Sequence, residues 1–236
     1  MPPTSPGATV DPRFLTKQAL VYTTLRDAIL RCDLAPGERL VIDEFARRYA
    51  VSIIPVREAL RLLQSEGLVL SVAHVGATVA PISRDSVVEV FTLLEGLELV
   101  ATRAAAERAA PHALEEIEGL VRGMDDALAD GAPQRWADLN TQFHLRISEA
   151  AGMPLLQQMM QRALDHWDRV RRFYFNGVLV HRARQAQVEH RRILAQLRAR
   201  DFEGLQRTIR EHNQNALKAY TTYLASRPER EGAATR

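Results

Sequence analysis

The sequence predicts a mainly α protein in two parts, a winged helix-turn-helix followed by an all-α antiparallel helical bundle. Three observations carry this expectation. The one convincing strand–turn–strand signal is the Val-rich stretch LVLSVAHVGATVAPIS at 68–83, with a glycine in its middle. Short helical stretches precede it, and long ones without strand signals follow. The later breaks, at Pro111, Gly131-Ala132-Pro133, Gly152, Asn176-Gly177 and Arg200-Asp201, are brief. Long amphipathic helices on short connections imply antiparallel neighbours.

Taken in order, residues 1–16 are rich in Pro, Ser, Thr and Gly and read as a flexible arm. Lys17–Cys32 carries Ala19, Leu20, Leu25, Ala28 and Ile29 near helical spacing and stops before the Pro36-Gly37 turn. Asp43–Tyr49 is a short helix. After a break at Ala50–Pro55, a third helix runs from Pro55, a good first-turn residue, to Glu66 and stops at Gly67. The Val-rich ribbon closes this part, so the first domain spans 17–82. Ser83 or Ser86 caps the next helix. The second domain spans 83–225, with helices at 85–110, 112–130, 134–151, 154–174, 178–199 and 202–224. Residues 226–236 read as a flexible tail.

Composition narrows the classes. A chain of 236 residues with 46% apolar and 25% charged residues is ordinary for a globular protein and argues against wholesale disorder. The single cysteine, Cys32, excludes an internal disulfide framework and points to a reducing compartment. No apolar run is long enough for a spanning helix, and MPPTSPGATVDPR lacks the pattern of a signal peptide. A cytoplasmic protein without membrane partners is expected. The net charge is only +2. Nucleic-acid binding must therefore come from local arrangement and not from bulk charge.

The stretch PGERLVIDEFARRYAVSIIPVREALRLLQSEGLV, with the following HVGATV, resembles the winged helix-turn-helix of GntR-family transcription regulators. The helical second half resembles the effector domain of the FadR subfamily, the FCD domain. The likeness covers residues 17–225. It implies a homodimeric, DNA-binding transcription regulator, most often a repressor, and not an enzyme. Two-fold symmetry implies a palindromic double-stranded operator.

In such a fold the third helix enters the major groove by its N-terminal end. Ser52 at its cap suits a phosphate, and Arg57, one turn in, suits a guanine or a phosphate. Arg61 lies one turn further on the same face. Arg47 and Arg48 on the preceding helix are phosphate candidates, and His74 and Gly76 fit a wing tip entering the minor groove. Family members often carry Arg-Thr between the Ser and the Pro. Here Ile53 and Ile54 stand there, which exchanges a polar contact for apolar contact with thymine methyls.

Asn140 and His144, four apart in NTQFH, share one helix face; His190 lies in EHRRIL and His212 in REHNQ. Three imidazoles and one carboxamide from three helices suit a divalent transition metal, zinc first, with nickel or manganese as alternatives. Spacing leaves other readings open. The resemblance implies more, because metal-binding members of the subfamily use an Asp-x-x-x-His pair and two later His in these contexts. Asn140 stands where Asp is usual, which lowers the negative charge of the site. Without a metal, the three histidines would hold a carboxylate ligand directly. Trp136, Trp167, Tyr174, Phe143, Met153, Met159 and Met160 read as packing residues, and His112, His166 and His181 as surface or packing positions.

The resemblance also implies a small organic acid effector whose binding shifts the two DNA-reading domains of the dimer. Arg103, Arg146 and Arg172 are candidates for its fixed positive group. Leu94 occupies a position where many relatives have an Arg four residues before a Glu, here Glu98. Two alternatives stay open. In one the metal itself is the signal. In the other the site is a metal-dependent hydrolase, which lacks a visible general base, since Glu189 and Glu211 point to a different helix face from the His beside each.

Overall fold

A computed structural model describes residues 16–72 and 76–226. The expected N-terminal arm up to residue 15, His74, and the tail from residue 227 lie outside the described residues. The chain divides into two compact units between Pro81 and Ile82, each with its own apolar core.

The first unit opens with α1 (Lys17–Leu30), capped by the Thr16 hydroxyl, which accepts from the Ala19 N–H at 3.1 Å. Val21, Leu25 and Ile29 recur every fourth residue and are fully buried. Each such side chain contributes about 1.5–3 kcal/mol relative to exposure. They pack with Val56, Ala59, Leu60 and Leu63 of α3 (Ile53–Ser65). Glu66 at the end of α3 accepts from the Tyr22 hydroxyl and from Arg26 Nε at 2.9 Å, a polar clasp over that packing. Between them lies α2 (Ile42–Arg48), and Ala50 turns the chain into α3 at φ 52°. The third helix begins two residues before the expected Pro55. Pro55 still falls in the first turn, where its missing N–H has no helical partner to lose.

The ribbon pairs β2 (Val69–Val72) antiparallel with β3 (Gly76–Val79), with Leu70 opposite Thr78. A further strand, β1 (Arg39–Leu40), pairs on the other side of β3, giving the order β1-β3-β2. Two residues have no periodicity to read, so β1 has no sequence signal.

The second unit, among the described residues, is built of α4 (Arg84–Arg108), α5 (Pro111–Ala129), α6 (Pro133–Ala150), α7 (Pro154–Phe173), α8 (Val180–Ala199) and α9 (Phe202–Ala225). A π-helical turn at Phe175–Leu179 joins α7 to α8. Local chemistry sets the starts. Ser83 and Ser86 form a capping box, Pro111, Pro133 and Pro154 open their helices, and Asp201 accepts from the Gly204 N–H at 2.9 Å. The long α4 packs against α6, α7, α8 and α9, which surround it. Phe143 and Met160 are fully buried, and Trp136, Trp167 and Tyr174 nearly so, whereas Met159 is 45% exposed.

Candidate functional site

Inside the helical unit a cavity, part of it open to solvent, lies among α4, α6, α7, α8 and α9. Phe91, Leu94, Trp136, Trp167 and Tyr220 give it apolar walls, and Glu98, Asn140, His144, Arg182, His212 and Asn213 bring polar groups. Asn140 and His144 reach it from one face of α6, one turn apart.

His144 of α6, His190 of α8 and His212 of α9 are all buried, and a nitrogen of each lies within 4.8 Å of the others. A distinct acceptor holds the Nδ1 atom of every ring. His144 Nδ1 meets Glu98 Oε1 at 2.7 Å, and His212 Nδ1 meets Glu189 Oε2 at 2.8 Å. His190 Nδ1 meets Gln187 Oε1 at 3.3 Å. Gln187 in turn donates its amide to the Val121 carbonyl at 2.9 Å and to Asp125 at 2.6 Å, so its oxygen is left to accept. A hydrogen on each Nδ1 satisfies these acceptors and leaves each Nε2 lone pair free. Nε2 of His190 is buried with no hydrogen-bond partner. Three buried imidazoles, each oriented through Nδ1 by its own acceptor, are a donor set that fits zinc or a neighbouring divalent ion. Asn140 lines the same cavity.

Burial drives the His190 pKa well below its usual value, with further depression from His212, His144 and Arg182. Its ring sits 4.7 Å from that of Phe143 and stacks on Trp136 at 5.9 Å. Burial alone would raise Glu98, but the charge and hydrogen bond of His144 more than reverse it. Burial likewise opposes ionisation of Glu189, yet hydrogen bonds from His212 and Arg182 bring it down to about 2.

The glutamates next to the histidines behave differently from one another. Glu211 is exposed and pairs with Arg192 at 2.9 Å. Glu189 does turn away from His190, but it is buried and forms the layer behind His212. Asn215 Nδ2 also donates to it, at 2.9 Å.

The three arginines considered for an anionic effector do not line this cavity. Arg103 is 73% exposed beside Glu107, Arg146 pairs with Glu116 and Glu149, and Arg172 lies 3.8 Å from Asp138. The arginine that does line it is Arg182. Helical pitch carries no signal that separates it from its neighbours. His112 and His181 are exposed and His166 is half-buried.

In the first unit, α3 buries Val56, Ala59, Leu60 and Leu63 and turns Ile53, Ile54, Arg57 and Arg61 outward. Ile54 is 68% exposed, unusual for so large an apolar side chain at the tip of a helix. Ser52 occupies the N-cap without a side-chain capping bond. Arg61 pairs with Glu58 at 2.8 Å, and Arg47 and Arg48 are exposed at the end of α2. Gly76 opens β3 at φ +96°, a conformation that favours glycine.

Residues 17–79 match the family described as bacterial regulatory proteins, gntR family, and residues 89–215 match the FCD domain. The chain belongs to the GntR family and carries an FCD domain. Its GntR-family relatives include the HTH-type transcriptional regulator McbR of Escherichia coli K12, 30% identical over 80% of this chain and 86% of McbR. Another is the HTH-type transcriptional repressor GlaR of the same organism, 27% identical over 81% of this chain and 90% of GlaR. The solved structure of E. coli McbR superposes with a TM-score of 0.72 at 24% identity, covering 89% of this chain and all of that one, which shows the shared fold. As a GntR-family member the protein is a DNA-binding transcription regulator and not an enzyme. Among the described residues no helix is long and apolar enough to cross a membrane.

Proposed function

We propose that this GntR regulator is a homodimeric repressor whose affinity for a palindromic operator is set by a divalent metal and a small organic acid bound in the FCD cavity. His144, His190 and His212 are the metal ligands in this reading, with Asn140 supplying a fourth, neutral oxygen. Ser52, Arg57 and Arg61, with Arg47, Arg48 and the wing, are the DNA contacts. The observation that carries the ligand reading is the set of three separate acceptors on the three Nδ1 atoms. Orienting partners of that kind are what hold imidazoles ready for a metal. Support for repression comes from the name of GlaR.

The metal, when bound, supplies a Lewis-acidic position for an oxygen of the acid. The chain's own residues hold the imidazole tautomers, exclude bulk water with the aromatic walls and, through α4, α8 and α9, join the site to the rest of the helical unit. Effector binding then changes operator affinity by a coupling of about 1–3 kcal/mol.

A thermal-shift screen of small organic acids, with zinc and with EDTA, tests the reading. Stabilisation by an acid that requires zinc is expected. Stabilisation by zinc with no response to any acid makes the ion itself the signal and overturns the effector. Stabilisation by an acid in EDTA alone overturns the metal.

A further inference from the structure

Arg182 enters the cavity from α8, and only one nitrogen of its guanidinium is used. Its Nη2 donates to Glu189 and, at 3.4 Å, to the His212 carbonyl. Its Nε and Nη1 are buried without any hydrogen-bond partner. Unfilled buried guanidinium donors cost more than unfilled neutral ones, so a built site with this geometry calls for an acceptor. The same cavity is lined by Trp136, Trp167 and Tyr220, whose Nε1, Nε1 and Oη atoms are likewise buried and unpartnered. Every one of these groups can donate. The complement is a molecule rich in acceptors.

We propose that Arg182 is the anchor for the effector's carboxylate, and that the cavity takes a small monocarboxylate bearing a further oxygen, such as a hydroxy or oxo acid. This rests on the effector reading above and adds to it the residue and the charge of the ligand. Nε and Nη1 of Arg182 lie on different edges of the guanidinium, so each can offer its own N–H to an acceptor oxygen in the cavity, such as that of a carboxylate. Nη2, pinned on Glu189, holds the guanidinium in place. The indole and phenol groups donate to the second oxygen function within apolar walls.

Charge balance selects a monoanion. Among the described residues, the ionised groups at the cavity are Glu98 and Arg182, with Glu189 joined to Arg182. With neutral imidazoles they leave one net negative charge. A divalent ion on the histidines turns this to one positive charge, and a single carboxylate neutralises it. A dicarboxylate would leave a buried excess of negative charge, which is costly in a low-dielectric cavity. Arg182 and His212 share Glu189, so anion and metal are linked through one carboxylate.

The chain has two tryptophans, and both line this cavity, so their emission reports its occupancy. The experiment titrates the zinc-loaded full chain with acetate, glycolate, glyoxylate, malonate and the neutral glycolamide. The wild type is compared with Arg182→Gln and Arg182→Lys. Zinc affinity of each variant, measured by competition with a chromophoric chelator, checks that the histidine cluster is intact. A saturable emission change is expected with glycolate or glyoxylate, at least tenfold weaker with glycolamide and malonate. Both variants should weaken it tenfold or more while still binding zinc, because Lys keeps the charge but not the planar, Glu189-anchored set of donors. Carboxylate binding within twofold of wild type in the variants overturns the role of Arg182 and leaves the effector reading standing. No emission change with any acid in the zinc-loaded wild type overturns the carboxylate pocket and the organic-acid reading together.

Discussion

Glu98 on α4 accepts from His144 Nδ1 at 2.7 Å with one carboxylate oxygen and from Asn213 Nδ2 at 2.7 Å with the other. Both partners donate, so the position requires a group with two acceptors. Glu98→Gln replaces one oxygen by an NH2 and sets donor against donor, either at Asn213 or at His144. We expect the variant to fold and to bind zinc about 10–100-fold more weakly, the usual effect of losing a partner that orients a metal-binding imidazole. Chelator competition measures this, and unchanged zinc affinity would show that Glu98 does not orient a ligand.

The metal-free protein should lose stability on acidification. His190 is depressed below its ordinary value, so it is neutral in the fold and takes up a proton on unfolding; its contribution is lost as pH falls below about 6.5. Glu189, lowered to about 2, adds a contribution that is complete above about 4.5 and drains as pH falls towards 2. Each group sets a slope of up to about 1.4 kcal/mol per pH unit within its window. Thermal melts in EDTA from pH 7.5 to 4 should show a falling Tm. A flat Tm would contradict the neutral assignment of His190.

Arg171 is fully buried on α7, bonded through Nε to Asp168 at 3.0 Å and lying 3.5 Å from Asp138, with its guanidinium 5.6 Å from the Trp167 ring centre. Asp168 also accepts from the Thr141 hydroxyl at 2.8 Å. Arg171→Ala leaves that carboxylate without its cation and should cost about 3–5 kcal/mol in chemical denaturation. A cost below about 1 kcal/mol would mean that water replaces the guanidinium there.

The exposed tip of α3 separates two kinds of DNA contact. Arg57→Ala should lower affinity for an operator selected from random duplexes at least tenfold with no change in Tm, because Arg57 is exposed. Ile54→Ala should weaken the preference for thymine, read by replacing operator thymines with uracil, which removes only the methyl group. Equal binding to thymine and uracil operators by the wild type would remove Ile53 and Ile54 from base recognition.

How far the site could be read from sequence follows from the range of the contacts. Asn140 and His144 lie one turn apart on α6, so helical pitch alone puts them on one face. His190 and His212 sit in fully helical segments whose boundaries are marked by Gly177, Arg200 and Asp201. The orienting layer has no such local signal. Asn213 meets Glu98 across 115 positions and Gln187 meets Asp125 across 62. Which arginine turns inward depends on helix packing, and four long flexible side chains on similar helices look alike in sequence. Leu94, standing where a relative's arginine is expected, lines the cavity as an apolar wall, so the charge comes from Arg182 on a different helix.

The central claim is that metal at the histidine cluster governs DNA binding. Fluorescence anisotropy of a labelled selected operator, titrated with the wild type and with His190→Ala in zinc and in EDTA, tests it most directly. The account predicts sequence-specific binding whose affinity changes at least tenfold on removing zinc or adding the matching acid, with His190→Ala insensitive to both. Specific binding of equal affinity in zinc and in EDTA, with or without acid, and unaltered by His190→Ala, would contradict it.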